Sequence, residues 1–131
     1  MMRKSVLATV LAGVLPSLSA TATEQPNVVI MMVDNLGFGE LQSYGSTRGV
    51  ATPNLDKLAD EGIRLTNFNV EPQCTPTRSA FMTGRRPLRT ATTEVVWGMD
   101  YGMVNWEVTM ANKFKDQGYN TAMYGKWHLG D

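Results

Sequence analysis

Apolar positions along the chain fall into short runs without helical periodicity and longer stretches that have it. Residues 27–33 (Asn-Val-Val-Ile-Met-Met-Val) are almost continuously apolar. A run that does not alternate predicts a strand covered on both faces, as in the middle of a parallel sheet. Residues 63–70 alternate well enough to predict a second strand, and 119–124 predict a third. Thr52-Pro53 opens a helix, with Thr at the N-cap and Pro at the first helical position. Leu55, Leu58 and Ala59 then recur on one face, and Gly62 stops it. A second helix opens near Thr75 and runs to Gly84. A third is capped by Thr109 or Asn105, carries Met110, Ala111 and Phe114 on one face, and ends at Gly118. Residues 41–50 and 85–101 show neither pattern and read as loop. Strands alternating with helices predict an α/β fold, a mostly parallel sheet flanked by helices with right-handed crossovers.

Composition places the 131 residues in one ordinary globular domain, 43% hydrophobic, without internal repeat or low-complexity segment. Twelve basic and twelve acidic residues balance, which removes the electrostatic case for nucleic acid as a partner. The first residues change that count. Met1-Met2-Arg3-Lys4 is basic, Val6 to Leu15 is apolar, and Ala20-Thr21-Ala22 is a small-x-small cleavage site, the layout of a secretory signal peptide over 1–22. The alternative, a membrane anchor, is disfavoured because the apolar run is too short to span a bilayer. Removing Arg3 and Lys4 leaves ten basic against twelve acidic residues, and about 109 residues remain, enough for a small core. The expectation is an exported protein, periplasmic or secreted, without a membrane span after cleavage. In an oxidising compartment a lone cysteine is either a free thiol or functional, and Cys74 has no partner for an internal disulfide.

Ligands of open parallel sheets bind outside the carboxyl ends of the strands. The first predicted strand ends at Asp34-Asn35, the second just before Cys74, and the third at Lys126-Trp127-His128. The chain's one cysteine, its one histidine and a strand-terminal aspartate therefore share one predicted edge. Asp34 and the Asn35 amide offer hard oxygen ligands for Ca²⁺ or Mg²⁺, although an aspartate there also serves as a turn cap. Lys126 and His128 are two apart, so an extended segment turns both to one side, where they suit an oxyanion. The alternative for His128 is a structural histidine with its hydrogen bonds satisfied. Arg78 falls one helical turn beyond Cys74 and can hold a tetrahedral anion in a bidentate way; the alternative is a solvated surface charge. Cys74 opens a helix, where the macrodipole favours negative charge, but a lone cysteine is also commonly a small buried apolar residue. Jointly these groups describe metal-assisted sulfuryl or phosphoryl transfer. Trp97, Tyr101 and Trp106 read as core residues, with the lining of a pocket for an aryl or sugar ring as the alternative.

Cys74-Thr75-Pro76-Thr77-Arg78 matches the Cys-x-Pro-x-Arg signature, and Ser79 to Arg85 matches its extension. Pro26-Asn27 before the first apolar run, the Asp34 to Gly39 turn, Thr52-Pro53-Asn54-Leu55-Asp56 and Gly125-Lys126-Trp127-His128-Leu129-Gly130 complete the set. In these segments the chain resembles the type I sulfatases of the alkaline-phosphatase-like superfamily, over essentially all of Pro26 to Asp131. The resemblance implies that residues 23–131 are the N-terminal part of a sulfatase catalytic domain, with the sheet incomplete and the C-terminal remainder absent. It implies that a formylglycine-generating or other sulfatase-maturation enzyme converts Cys74 to formylglycine. The hydrated aldehyde would attack the sulfur of a sulfate ester, and its second hydroxyl would then expel sulfate and restore the aldehyde.

Asp34 and Asn35, with the converted Cys74, would hold the divalent cation, Ca²⁺ or else Mg²⁺. Arg78 would hold the formylglycine hydrate, and Lys126 and His128 would contact the sulfate or the modified residue. The family commonly carries a second aspartate where this chain has Asn35, so the site has one negative charge fewer. The implied function is sulfate ester hydrolysis, arylsulfatase-like, on a small molecule or a sulfated glycan, with the 131-residue chain alone inactive or nearly so. Alternatives are a phosphonate or phosphodiester hydrolase of the same superfamily and a non-catalytic exported remnant.

Overall fold

A computed structural model describes residues 25–98 and 101–130, so the signal peptide expected over 1–22 lies outside the described residues. Two compact units divide at Met32. The described part of the first unit, residues 25–32, has no regular secondary structure, and Val29 and Met31 are exposed. The second unit begins at Val33 and carries the helices.

A tight turn at 34–35 leads into two short 3₁₀ turns, Phe38–Glu40 and Gln42–Tyr44, inside and beside the stretch read as loop. Helix α1 follows over Pro53–Glu61, with Thr52 at its N-cap and Pro53 in its first turn. The Thr52 hydroxyl donates to the Asp56 carboxylate at 3.1 Å rather than capping a backbone N–H. Asp56 Oδ1 also accepts from the Ser43 N–H at 2.8 Å, which ties α1 to the second 3₁₀ turn.

Helix α2 spans Cys74–Thr83 and stops where Gly84 enters the left-handed region and its N–H returns to the Ala80 carbonyl at 2.8 Å. Left-handed backbone of this kind is the usual glycine helix stop. The face it buries is polar: Thr75, Arg78 and Ser79, with Pro76. A single-turn helix, α3 (Pro87–Thr90), packs against it. Ser79 and Thr90 hydroxyls pair at 2.9 Å, and Thr90 and Thr92 at 2.7 Å, so these buried hydroxyls satisfy one another. Helix α4 (Met110–Asp116) starts at a capping box in which Thr109 and Asn112 exchange side-chain and backbone bonds. Phe114 then meets Tyr119 edge-on, ring centres 5.1 Å apart.

The three helices expected from periodicity and caps are present within a residue or two of their expected ends. The stretch read as loop from 85 differs at Pro87–Thr90, because Pro87 at a first helical position nucleates the turn of α3.

The sheet is the main difference. Among the described residues, 27–33, 63–70 and 119–124 form no strand. A strand exists only through a ladder to a neighbour. These segments run unpaired, and Ile63 and Tyr124 stand about nine-tenths exposed, at 89% and 93%. Leu55 and Leu58 on α1 are likewise exposed. Trp97, Tyr101 and Trp106, read as core residues, lie exposed as well. Burial concentrates instead around Val96 and Leu129, beside the polar face of α2.

Candidate active site

Asp34 and Asn35 form the turn that follows the first apolar run, and Asn35 sits in the left-handed region at φ 59°. Asparagine is among the few residues that tolerate this conformation. The turn presents the Asp34 carboxylate to three side chains from distant positions. Lys126 Nζ donates to Asp34 Oδ2 at 2.8 Å and to Cys74 Sγ at 3.4 Å. The Cys74 thiol lies 3.7 Å from Asp34 Oδ1. Arg78 Nη2 approaches the same oxygen at 3.6 Å, while its Nη1 donates to the Lys126 carbonyl at 2.6 Å.

Cys74 is the first residue of α2, and Arg78, four positions on, is on the buried side. That spacing is one helical turn, which lets both reach the same carboxylate. The Asp34 carboxyl is held below its ordinary value, first by the hydrogen bond from Lys126, with Cys74 and Arg78 adding to it and burial opposing. The Lys126 ammonium is held above its ordinary value, first by its hydrogen bond to Asp34. Each group keeps the other charged.

His128 stands apart from this cluster. Its backbone is left-handed, at φ 56°, so 126–128 is not extended and the alternation expected to turn Lys126 and His128 to one side does not apply. His128 Nε2 instead lies 3.0 Å from the Val96 carbonyl. Leu129, the next residue, is buried, and its carbonyl accepts from the Met103 N–H at 2.7 Å. Gly102 makes that approach possible, since a Cβ there would sit 2.3 Å from the Leu129 oxygen. Two buried nitrogens, Arg78 Nε and His128 Nδ1, have no partner among the described residues.

The sequence expectation thus finds Asp34, Cys74, Arg78 and Lys126 together, and His128 anchored separately through its ring and backbone. Asn35 makes no hydrogen bond to the cluster among the described residues. Thr75 and Val96, which hold His128, were not singled out by the sequence. Thr75 does lie inside the Cys-x-Pro-x-Arg signature, but Val96 acts through its backbone, which leaves no residue-type signal.

As metal ligands, the Asp34 carboxylate and the Asn35 amide oxygen have the donor chemistry of a hard divalent cation. Among the described residues no group of three or more His, Cys, Asp or Glu gathers around them. Two such donors fall short of the roughly six to eight oxygens that Ca²⁺ takes.

Comparison with known proteins agrees across almost the whole chain. The Sulfatase family model matches residues 26–130. Human steryl-sulfatase is 42% identical over 117 residues, covering 83% of this chain and 20% of that protein. Human arylsulfatase H is 42% identical over 119 residues, covering 84% and 21%. The arylsulfatase of Klebsiella aerogenes is 34% identical over 119 residues, covering 85% and 25%. The chain therefore spans about a fifth to a quarter of the length of these relatives.

Proposed function

The chain belongs to the sulfatase family, and from that premise we propose that it carries the nucleophile end of a sulfate ester hydrolase site, with Cys74 as a formylglycine precursor. The observation that carries the reading is the convergence on Asp34: Lys126 Nζ lies 2.8 Å from that carboxylate and 3.4 Å from the Cys74 sulfur. A formylglycine at position 74 supplies a hydrated aldehyde as the nucleophile towards sulfur. Asp34 and Asn35 would hold a divalent cation, Ca²⁺ or Mg²⁺, which would supply Lewis-acid positive charge at the sulfate ester.

The chain's own side chains bind and orient. Lys126, beside the nucleophile position, contributes the ammonium that a sulfate oxygen meets. Arg78 is fixed at two points, by the Lys126 carbonyl and by Asp34. Its guanidinium therefore meets an anion with little further ordering cost. His128 leaves a buried ring nitrogen, Nδ1, without a partner among the described residues, and a bare imidazole nitrogen can accept a proton. Family membership supports, as further parts of the same proposal, an alkaline-phosphatase-like α/β domain with this chain as its N-terminal part, a sulfatase-maturation enzyme as partner and a small sulfate ester or sulfated glycan as substrate, while the proposed export rests on the signal-peptide layout of residues 1–22. Among the described residues no helix is long and apolar enough to cross a membrane.

With two oxygen donors for the cation, the 131-residue chain by itself is expected to hydrolyse aryl sulfates barely or not at all. Chain purified from a host that supplies the maturation enzyme tests both parts. An aldehyde-reactive hydrazide is expected to label it, the label is expected to vanish in Cys74→Ala, and aryl sulfate turnover is expected to stay near background. Absence of labelling removes the sulfatase reading of Cys74, and robust turnover removes the claim that the chain alone is inactive.

A further inference from the structure

Thr75 follows the nucleophile position and is wholly buried, at 0% exposure. Its hydroxyl donates to the His128 carbonyl at 2.9 Å and accepts from the Val96 N–H at 3.1 Å. The Val96 carbonyl in turn lies 3.0 Å from His128 Nε2. Three residues from positions 75, 96 and 128 thus close a ring of hydrogen bonds, through one side-chain hydroxyl, one imidazole nitrogen and backbone groups.

The ring has a chemical consequence. A carbonyl oxygen only accepts, so the nitrogen facing Val96 carries the hydrogen. In the neutral imidazole the other nitrogen, Nδ1, is then the acceptor, and it is buried without a partner among the described residues. The same ring holds His128 in the left-handed region, at φ 56°, a conformation unfavourable for a non-glycine residue that persists only where the surroundings impose it.

We propose that Thr75 is a positioning residue for His128: its hydroxyl, through Val96, fixes the imidazole as the Nε2–H tautomer and leaves Nδ1 as the bare acceptor. The use of that acceptor in catalysis rests on the sulfatase reading; the tautomer itself rests on the ring. Loss of the hydroxyl strips the Val96 N–H of its acceptor and the His128 carbonyl of its donor. The Val96 carbonyl is then no longer fixed against the imidazole. Thr77 is the internal control, since its hydroxyl donates to the Glu71 carbonyl at 2.8 Å and takes no part in the ring.

The experiment is ¹⁵N NMR of the imidazole at a pH where it is neutral. His128 is the only histidine of the 131 residues, so its ring signals are unique. Wild type is expected to show the shift pattern of a single Nε2–H tautomer with an Nε2 proton slow to exchange with water. Thr75→Ser and Thr77→Val are expected to keep both features. Thr75→Val and Thr75→Ala are expected to give averaged ring shifts and Nε2-proton exchange at least tenfold faster. An Nδ1–H tautomer in wild type overturns the proposal, as does an unchanged signature in Thr75→Val or Thr75→Ala. Loss of the signature in Thr75→Ser or Thr77→Val also overturns it. Where Thr75→Val and Thr75→Ala fail to fold, wild type together with Thr75→Ser decides, the pattern retained in both supporting the ring and its absence from either refuting it. A Cys74 that stays a thiol removes the sulfatase reading without moving any of these signals.

Discussion

Lys126 bridges the Asp34 carboxylate and the Cys74 sulfur, and the direction of each charge shift fixes how the pair responds to pH. Asp34 is held below the ordinary carboxyl value of 3.8, so its contribution is present above that value and is lost as pH falls through the lowered one. Lys126 is held above 10.5, so its contribution is present below 10.5 and is lost as pH rises through the raised one. Between these limits the pair is insensitive to pH. Lys126→Met removes the largest cause acting on Asp34, and carboxyl-carbon NMR is expected to show Asp34 titrating at higher pH than in wild type. An unchanged midpoint contradicts the assigned cause. Asn35 invites a second substitution, because aspartate also tolerates the left-handed backbone found there. Asn35→Asp restores a negative charge and is expected to tighten Ca²⁺ binding about tenfold by calorimetry, or about 1.4 kcal/mol. Equal or weaker binding argues against Asn35 as a ligand. At this scale the distinctive residue types were legible: one cysteine, an arginine a turn away, and Asp34 and Lys126 on the same predicted edge, although Lys126 was paired there with His128 rather than with Asp34. The hold on His128 was not, because a buried hydroxyl and a backbone carbonyl look ordinary in a sequence.

Helix α2 shows why elements differ in legibility. Its ends were readable because they depend on local chemistry, with Gly84 adopting the left-handed stop. The capping box of α4 and Pro53 in the first turn of α1 are local in the same sense. What α2 buries was not readable, since Thr75, Arg78 and Ser79 break the rule that the inward face is apolar. The expected strands are not formed among the described residues for the opposite reason: alternation announces a strand, but only a neighbour makes one. The segment 126–130 is held by close packing at Gly102 and by single hydrogen bonds to its carbonyls rather than by a strand ladder. Gly102→Ala would drive a Cβ to 2.3 Å from the Leu129 carbonyl, and backbone cannot yield as a flexible side chain does. Chemical denaturation is expected to register a loss of about 1–3 kcal/mol, with displacement of Lys126 and His128. A neutral Gly102→Ala would show that this segment is held elsewhere.

The whole chain covers about a fifth to a quarter of the relatives it matches, and the sulfatase family has an alkaline-phosphatase-like α/β fold. Within the described residues the apolar segments meant for a sheet stand exposed while the polar cluster around Asp34 is assembled. This division follows from the physics of each part. The cluster needs only a helix start, one turn and one loop, joined across long sequence separations by a few hydrogen bonds, whereas a parallel sheet needs several strands at once. The proposed chemistry accordingly turns on Cys74 rather than on the sheet. Its most direct test is mass spectrometry of the tryptic peptide Leu65–Arg78 from chain made alongside a sulfatase-maturation enzyme. The expected peptide is one in which the Cys74 thiol has been replaced by an aldehyde, visible as a mass decrease and trapped by a hydrazide. A peptide that retains an alkylatable thiol at Cys74 under those conditions would contradict it.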